Sequence, residues 1–144
     1  KSNIIKFYLS KETLNRSIFR TSKINDIINL EKSMKFGYRI SGHFVQGHVD
    51  ATTVVNKIVH VGRSWIIYFK MPKKFKKYIV EKGSIAINGV SLTIAKIQKN
   101  NFQISVVPHT LKLTNLLKLK TKDTVNVEFD IFAKYIKNFK KNGN

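Results

Sequence analysis

SGHFVQGHVD, residues Ser41–Asp50, is the stretch from which the rest of the chain is built outward. It reads as a strand that carries two histidines and is broken at Ser41, Gly42 and Gly47. In an extended chain successive side chains alternate faces, so His43, Val45 and Gly47 point one way while Phe44, Gln46 and His48 point the other. The two histidines therefore part company. A histidine on a strand is more often a hydrogen-bonded structural group than a catalytic one. What raises His48 is Gly47 beside it, which removes a side chain and lets a planar ligand or another backbone approach.

Short strands surround this stretch. Upstream, Ile4–Leu9 (IIKFYL) reads as a strand, Ser10–Leu14 as the turn that ends it, and Ile24–Glu31 as a second strand. Lys32–Arg39 then forms a short bridge without Pro or Gly-Ser linker character. Downstream come Ala51–Val61, a break near Gly62, and Ser64–Lys70 (SWIIYFK), rich in β-branched and aromatic residues. Pro72 opens and Gly83 closes a helix over Lys73–Glu81. Strands follow at Ser84–Asn88, Val90–Ile97 and Phe102–Val107, separated by Gly89 and by a turn at Lys99–Asn101. Pro108 stops the last of these, a turn of helix covers His109–Leu116, Thr124–Asp130 is a strand, and Ile131–Phe139 is an amphipathic helix. Many short strands with turn signals between them predict an all-β barrel or sandwich, with helices as plugs or caps.

The chain also repeats itself. Thr13-Leu14 matches Thr110-Leu111, and Ile28-Asn29-Leu30-Glu31 matches Val125-Asn126-Val127-Glu128, both at an offset of 97 residues. One offset shared by two separate motifs implies a tandem duplication, with the tail of a first copy preceding a whole second copy.

Composition bounds the partners. At 144 residues the chain has room for one ordinary domain and a fragment of another, and 42% hydrophobic content fills a core without staples. There is no cysteine, hence no disulfide framework and no Cys-type zinc site, which fits a reducing compartment. No apolar run is long enough to cross a bilayer and no signal peptide opens the chain, so it reads as cytoplasmic. It begins at Lys1 rather than Met, which leaves room for residues upstream. A net charge of +19 points to phosphate-bearing partners, nucleic acid or an anionic membrane surface. Lys supplies nearly all of it, however, the arginines being Arg16, Arg20, Arg39 and Arg63, whereas nucleic-acid readers lean on Arg for bidentate and stacking contacts. The densest cluster, Lys73–Tyr78, spaces Phe75, Tyr78 and Ile79 as the buried face of a short helix.

The chain carries no phosphate loop, no metal cluster at ligand spacing and no Ser-His-Asp array. Asp130 stands where the final helix begins, an N-cap position compatible with a site role. Ser91 and Thr93 in GVSLTI offer two hydroxyls on one strand face, either to a polar ligand or to solvent. Lys82 reads first as a helix C-terminal charge. His109 and Thr110 follow Pro108 in a turn whose main chain could meet a ring-shaped ligand.

Four strings in this order and spacing, SGHFVQGHVD, KGSIAINGVSLTI, VPHTLKLTNL and VNVEFDIFAKYI, resemble the riboflavin synthase family of tandem lumazine-binding barrels. The resemblance covers Phe7 to Phe139. It implies two similar six-stranded antiparallel Greek-key barrels followed by a C-terminal helix, assembled as a homotrimer through that helix. Residues 1–35 then form the incomplete tail of the first barrel, 36–130 the second barrel, and 131–144 the trimerisation helix. It implies a transferase reaction, the dismutation of two 6,7-dimethyl-8-ribityllumazine molecules to riboflavin and 5-amino-6-ribitylaminopyrimidinedione, with no metal or organic cofactor. Lumazine synthase is then a pathway partner.

By the same resemblance Gly47, His48 and Val49 contact the ligand, as do Lys82 and the segment Ser91, Leu92 and Thr93. Val107, Pro108, His109, Thr110, Leu111 and Lys112 cradle its ring. Tyr8, Leu9, Ser10, Lys11, Glu12 and Thr13 form the equivalent turn of the other barrel. His48 and Ser91 are expected to handle protons or position a nucleophile, Thr93 to hydrogen-bond the ring or ribityl chain, and Asp130 to be a polar partner of that group. The family's MFTGIV-like opening and its first-barrel equivalent of GVSLTI are absent from this chain, so half of a two-ligand site cannot be built from it alone. The alternatives are a non-catalytic lumazine- or flavin-binding protein and, more distantly, a basic nucleic-acid-binding barrel.

Overall fold

The structure is a computed structural model, and it describes residues 4–142. Its centre is a β-hairpin of β1 (Ala51–Val61) and β2 (Ser64–Lys70), followed by β3 (Ser84–Ile87), β4 (Val90–Ile97), β5 (Asn101–Val106) and β6 (Thr124–Phe129). All pairings are antiparallel, and the hydrogen-bonded order β1-β2-β5-β4-β3-β6 closes on itself as a Greek-key barrel. The predicted barrel and its strands are therefore present. Asn88 and Gly89, both at positive φ, make the tight β3–β4 turn that such a sequence favours. Register shifts in β1, between Val55 and Lys57, and in β4, between Ile94 and Lys96, mark bulges of the kind that help a sheet curl shut.

Alternation fills the interior. Val55, Ile67, Phe69, Ile85, Ile87, Ile94, Phe102, Ile104, Val106, Val125, Val127 and Phe129 point inward and are buried, with Phe69 and Phe102 stacked at 5.3 Å. Short helices plug the barrel. In α2 (Pro108–Leu113) the buried residue is Leu111, and in the following 3₁₀ turn (Asn115–Lys118) it is Leu116. The predicted helix over Lys73–Glu81 is instead a 3₁₀ turn limited to Lys73–Tyr78. β-branched Ile79 leaves it in extended backbone and turns into the core. Phe75 and Tyr78 pack on Phe129 while the lysines between them stay exposed, as the spacing predicts. Helix α3 (Ile131–Asn142) starts at Asp130, whose carboxylate accepts the Phe132 N–H. Among the described residues no helix is long and apolar enough to cross a membrane.

The three strands expected upstream do not form. Ile4–Leu9, Ile24–Glu31 and Ser41–Asp50 run as irregular chain, and the turn expected at Ser10–Leu14 is a helix, α1 (Lys11–Arg16), capped by the Ser10 hydroxyl. The reason lies in closure. Each barrel strand already has a neighbour on both sides, so no free edge remains for another strand to pair with.

The sequence repeat reappears in the geometry. Helix α1 and the 3₁₀ turn Ile18–Thr21 recur, at the same 97-residue offset, as α2 and Asn115–Lys118. Ser17 donates to the Thr13 carbonyl as Thr114 does to that of Thr110, at 2.6 and 2.7 Å. The Lys23 amide donates to Asp26 as the Lys120 amide does to Asp123. The two copies also hold each other. Asn126 Oδ1 accepts the Ile18 N–H at 2.8 Å, and its counterpart Asn29 accepts the Asn115 N–H at 2.7 Å. The Asn29 amide further donates to the Asn88 carbonyl and to Asn115 Oδ1. Each asparagine thus satisfies the first free amide of the other copy's 3₁₀ turn.

Truncating Phe102 to Ala should lower unfolding stability by about 3–5 kcal/mol in a urea titration, as expected for a buried ring in a closed core. Asn126→Ala should accelerate hydrogen exchange at the Ile18 amide while the Asn115 amide, held by Asn29, keeps its protection; equal loss at both would contradict two separate caps.

Candidate functional site

Ladder register places three residues in one row on the outer surface of the barrel. Glu128 of β6 stands opposite Ala86 of β3, and Ala86 opposite Ser91 of β4. Inward-facing Ile85, Ile87 and Leu92 flank this row, so it faces away from the core. Ala86 and Glu128 are nevertheless buried, because the segment Ser41–Asp50 lies across the row as a strap.

The strap is fastened at several points. The Gln46 amide donates to Glu128 Oε1 at 2.7 Å. The Asp50 amide donates to the Val127 carbonyl, and the Asp50 carboxylate accepts the Phe129 N–H at 2.8 Å and the Lys134 ammonium of α3. That ion pair is largely withdrawn from solvent, its side chains being 22% and 21% exposed, so it is screened less than a surface pair. Phe44 meets Phe132 edge to face at 6.2 Å. Glycines give the strap its course. Gly47 has φ +79, a backbone conformation that favours glycine, and no atom of the chain lies near its missing side chain. Gly42, at φ +89, is the position where close approach occurs: a Cβ there would stand 2.9 Å from the Ser91 Cβ and closer still to its oxygen.

The strap brings a histidine to Ser91, and it is His43. Its Nδ1 lies 2.7 Å from Ser91 Oγ, and its backbone N–H donates to the same oxygen at 3.3 Å. The far ring nitrogen, Nε2, is buried and has no hydrogen-bond partner. His48, the histidine raised by the sequence, is exposed. The strand alternation used to separate the two does not apply, because the strap is not extended along a sheet.

The remaining candidates are dispersed. Thr93, also on the outer face, is exposed, whereas Leu92 packs on the core. Lys82 is exposed at φ +64 in the turn before β3. On α2 and its cap, Val107, Pro108, His109 and Lys112 are exposed, Thr110 is half-buried and Leu111 is a core residue. Asp130 acts as the α3 cap. Tyr8, Leu9, Ser10, Lys11, Glu12 and Thr13 lie in or just before α1, Tyr8 almost fully exposed. Among the described residues, none of these side chains is hydrogen-bonded to Ser91. Gly47 and Val49 line an open cleft of about 950 Å³ between residues 18–29 and the barrel, together with Asn88, Asn126 and Glu128. Ser91, Thr93 and His43 lie outside that cleft. The converging polar groups at Ser91, and not the larger concavity, define the candidate site.

Sequence reasoning passed over His43, Gln46, Glu128 and the asparagines. Asn29 and Asn126 sat in plain view, inside the strings that repeat at the 97-residue offset.

The family model with the description Lumazine binding domain matches residues 46–130, the stretch that holds all six barrel strands and Ser91. The chain belongs to that family. Riboflavin synthase from Photobacterium phosphoreum is 41% identical over 128 residues, 89% of this chain and 59% of that protein. Riboflavin synthase from Mycobacterium tuberculosis is 38% identical over 128 residues, 87% of this chain and 64% of that protein. The chain thus spans about three fifths of the length of these curated relatives. Among solved structures, LumP complexed with riboflavin superposes with a TM-score of 0.76 at 28% identity, covering 82% of this chain and 64% of that one. LumP complexed with 6,7-dimethyl-8-(1'-D-ribityl) lumazine gives 0.73 at 27% identity, covering 81% and 63%.

Gly42→Ala should lift the strap off the row, since it introduces both a disfavoured φ and a clash with Ser91. Hydrogen exchange would report this as deprotection of the Gln46 amide by at least about tenfold, with the core of β5 unchanged.

Proposed function

We propose that this chain supplies the second lumazine-binding barrel of a riboflavin synthase, with residues 1–35 as the tail of a first barrel, 36–130 as the second and 131–144 as an assembly helix. In this reading two molecules of 6,7-dimethyl-8-ribityllumazine are held face to face and dismutate. One gives a four-carbon unit to the other, yielding riboflavin and 5-amino-6-ribitylaminopyrimidinedione, and the chemistry draws on no metal or organic cofactor. Lumazine synthase supplies the substrate. The observation that carries the reading is Ser91 held under the strap in a barrel of the lumazine-binding family.

Holding two rings in register supplies much of the rate in such a reaction. Ser91 is the residue for nucleophile positioning or proton handling, His48 a second proton-handling group on the exposed side of the strap, and Thr93 a donor to the ring or ribityl chain. Gly47, Val49, Lys82 and the Val107–Lys112 turn frame the ligand, Leu111 by packing from beneath. Asp130 contributes by fixing the start of α3. The exposed face of that helix, with Phe132, Tyr135, Ile136 and Phe139, supports homotrimer assembly through it. A second reading, a barrel that holds lumazine or flavin without turning it over, is favoured by the likeness to LumP in its ligand complexes.

Titration of the 144-residue chain with 6,7-dimethyl-8-ribityllumazine, following ligand fluorescence and riboflavin formation together, separates the readings. The expected result is saturable binding of one ligand per chain, lost in Ser91→Ala, with turnover appearing when a first barrel is supplied. Binding that never leads to turnover under that addition favours the second reading, and absence of binding overturns both.

A further inference from the structure

A serine hydroxyl has one proton to give and two lone pairs to receive. At Ser91 the backbone N–H of His43 occupies one lone pair. The contact with His43 Nδ1, at 2.7 Å, is then either Ser91 donating to a bare Nδ1 or a protonated Nδ1 donating to Ser91. The other end of the ring decides between them. A neutral imidazole carries its single proton on one nitrogen or the other, so a bare Nδ1 means an Nε2–H. That nitrogen is buried and without a partner, and would become an orphaned donor. Orphaned buried N–H groups are rarer and more costly than unfilled lone pairs, and a buried imidazolium with a free N–H is costlier still.

We infer that His43 holds its proton on Nδ1, occupies both lone pairs of Ser91, and so turns the Ser91 hydroxyl into an outward-facing donor that selects a hydrogen-bond acceptor on the ligand. The acceptor is a carbonyl oxygen or an unprotonated ring nitrogen of a flat heterocycle. His43 is accordingly a positioning residue that acts through Ser91. Two N–H groups converging on one oxygen polarise its O–H bond and strengthen it as a donor. Gly42 is part of the device, because only a residue without Cβ lets the chain pass close enough for the His43 amide to reach Ser91. Ser91 itself is half-buried on the outer face of β4 and so is not sealed from solvent. The identity of the ligand rests on the lumazine-binding reading, whereas the tautomer does not.

The test has two arms on the full chain. Long-range ¹H–¹⁵N correlation of the histidine rings at neutral pH should give His43 a pyrrole-type Nδ1 and a pyridine-type Nε2, and Ser91→Ala should move Nδ1 far more than Nε2. An Nε2–H tautomer, an imidazolium, or an Nδ1 indifferent to Ser91→Ala would overturn the inference.

In the second arm, affinity for 6,7-dimethyl-8-ribityllumazine is compared across variants whose melting temperatures are recorded alongside. His43→Asn, whose amide can place an N–H near the Nδ1 position, should stay within about threefold of the parent, while His43→Gln and His43→Ala should lose about tenfold. Equal losses for Asn and Ala would remove the positioning role. A parent chain that binds no lumazine defeats the functional reading above, and the ring spectra then decide the tautomer alone.

Discussion

Closure of the strand ladder is the interaction on which the rest of the molecule depends. β6 pairs with β1 on one side and with β3 on the other, and with that pairing the sheet has no edge left to offer. Whatever else the chain contains must attach to the barrel without adding a strand. It does so through side chains that take up single backbone amides. Glu128 takes that of Gln46, Asp50 that of Phe129, Asn126 that of Ile18, and Asn29 that of Asn115. Asn126 and Glu128 are buried and Asn29 and Asp50 half-buried, which the fold tolerates because each has its partner.

The same closure explains why β6 is buried on both faces. Val125, Val127 and Phe129 fill the barrel, as alternation requires, yet Asn126 and Glu128 are also withdrawn from solvent. The outer face carries the two polar residues that receive the upstream chain. Glu128 fastens the strap, and the strap delivers His43 to Ser91 two strands away along the same row. The site is therefore built from the outside of the barrel, by a loop laid over a sheet, and not in the barrel's apolar interior.

Within residues 51–130 the fold was legible in the sequence. Alternating strands, Pro and Gly punctuation and the Asn88-Gly89 turn are local signals, and the strands lie within a residue or two of where those signals place them. Upstream the same reasoning misplaced three segments. Ile4–Leu9, Ile24–Glu31 and Ser41–Asp50 have the composition of strands, but a strand needs an edge, and edge availability is decided by the whole topology. The site was half legible for the same reason. Ser91 stands out as a hydroxyl on a barrel strand. His43 and His48 cannot be ranked by alternation once the segment that carries them is a strap, and the positive φ of Gly42 and Gly47 determines which histidine turns inward. The asparagines were visible only as a repeat, and their exchange of caps needed coordinates.

The position of β6 in the chain has a bearing on when the molecule can take shape. It is the final strand, and its partner β1 begins more than seventy residues earlier, a separation that slows the search for contact. The receiving groups of Asn126 and Glu128 belong to it. As the chain emerges during synthesis, the upstream helix and the strap are made first, and their anchors on Asn126 and Glu128 form only when this strand arrives. Full fastening of the strap over Ser91 thus waits for the arrival of β6.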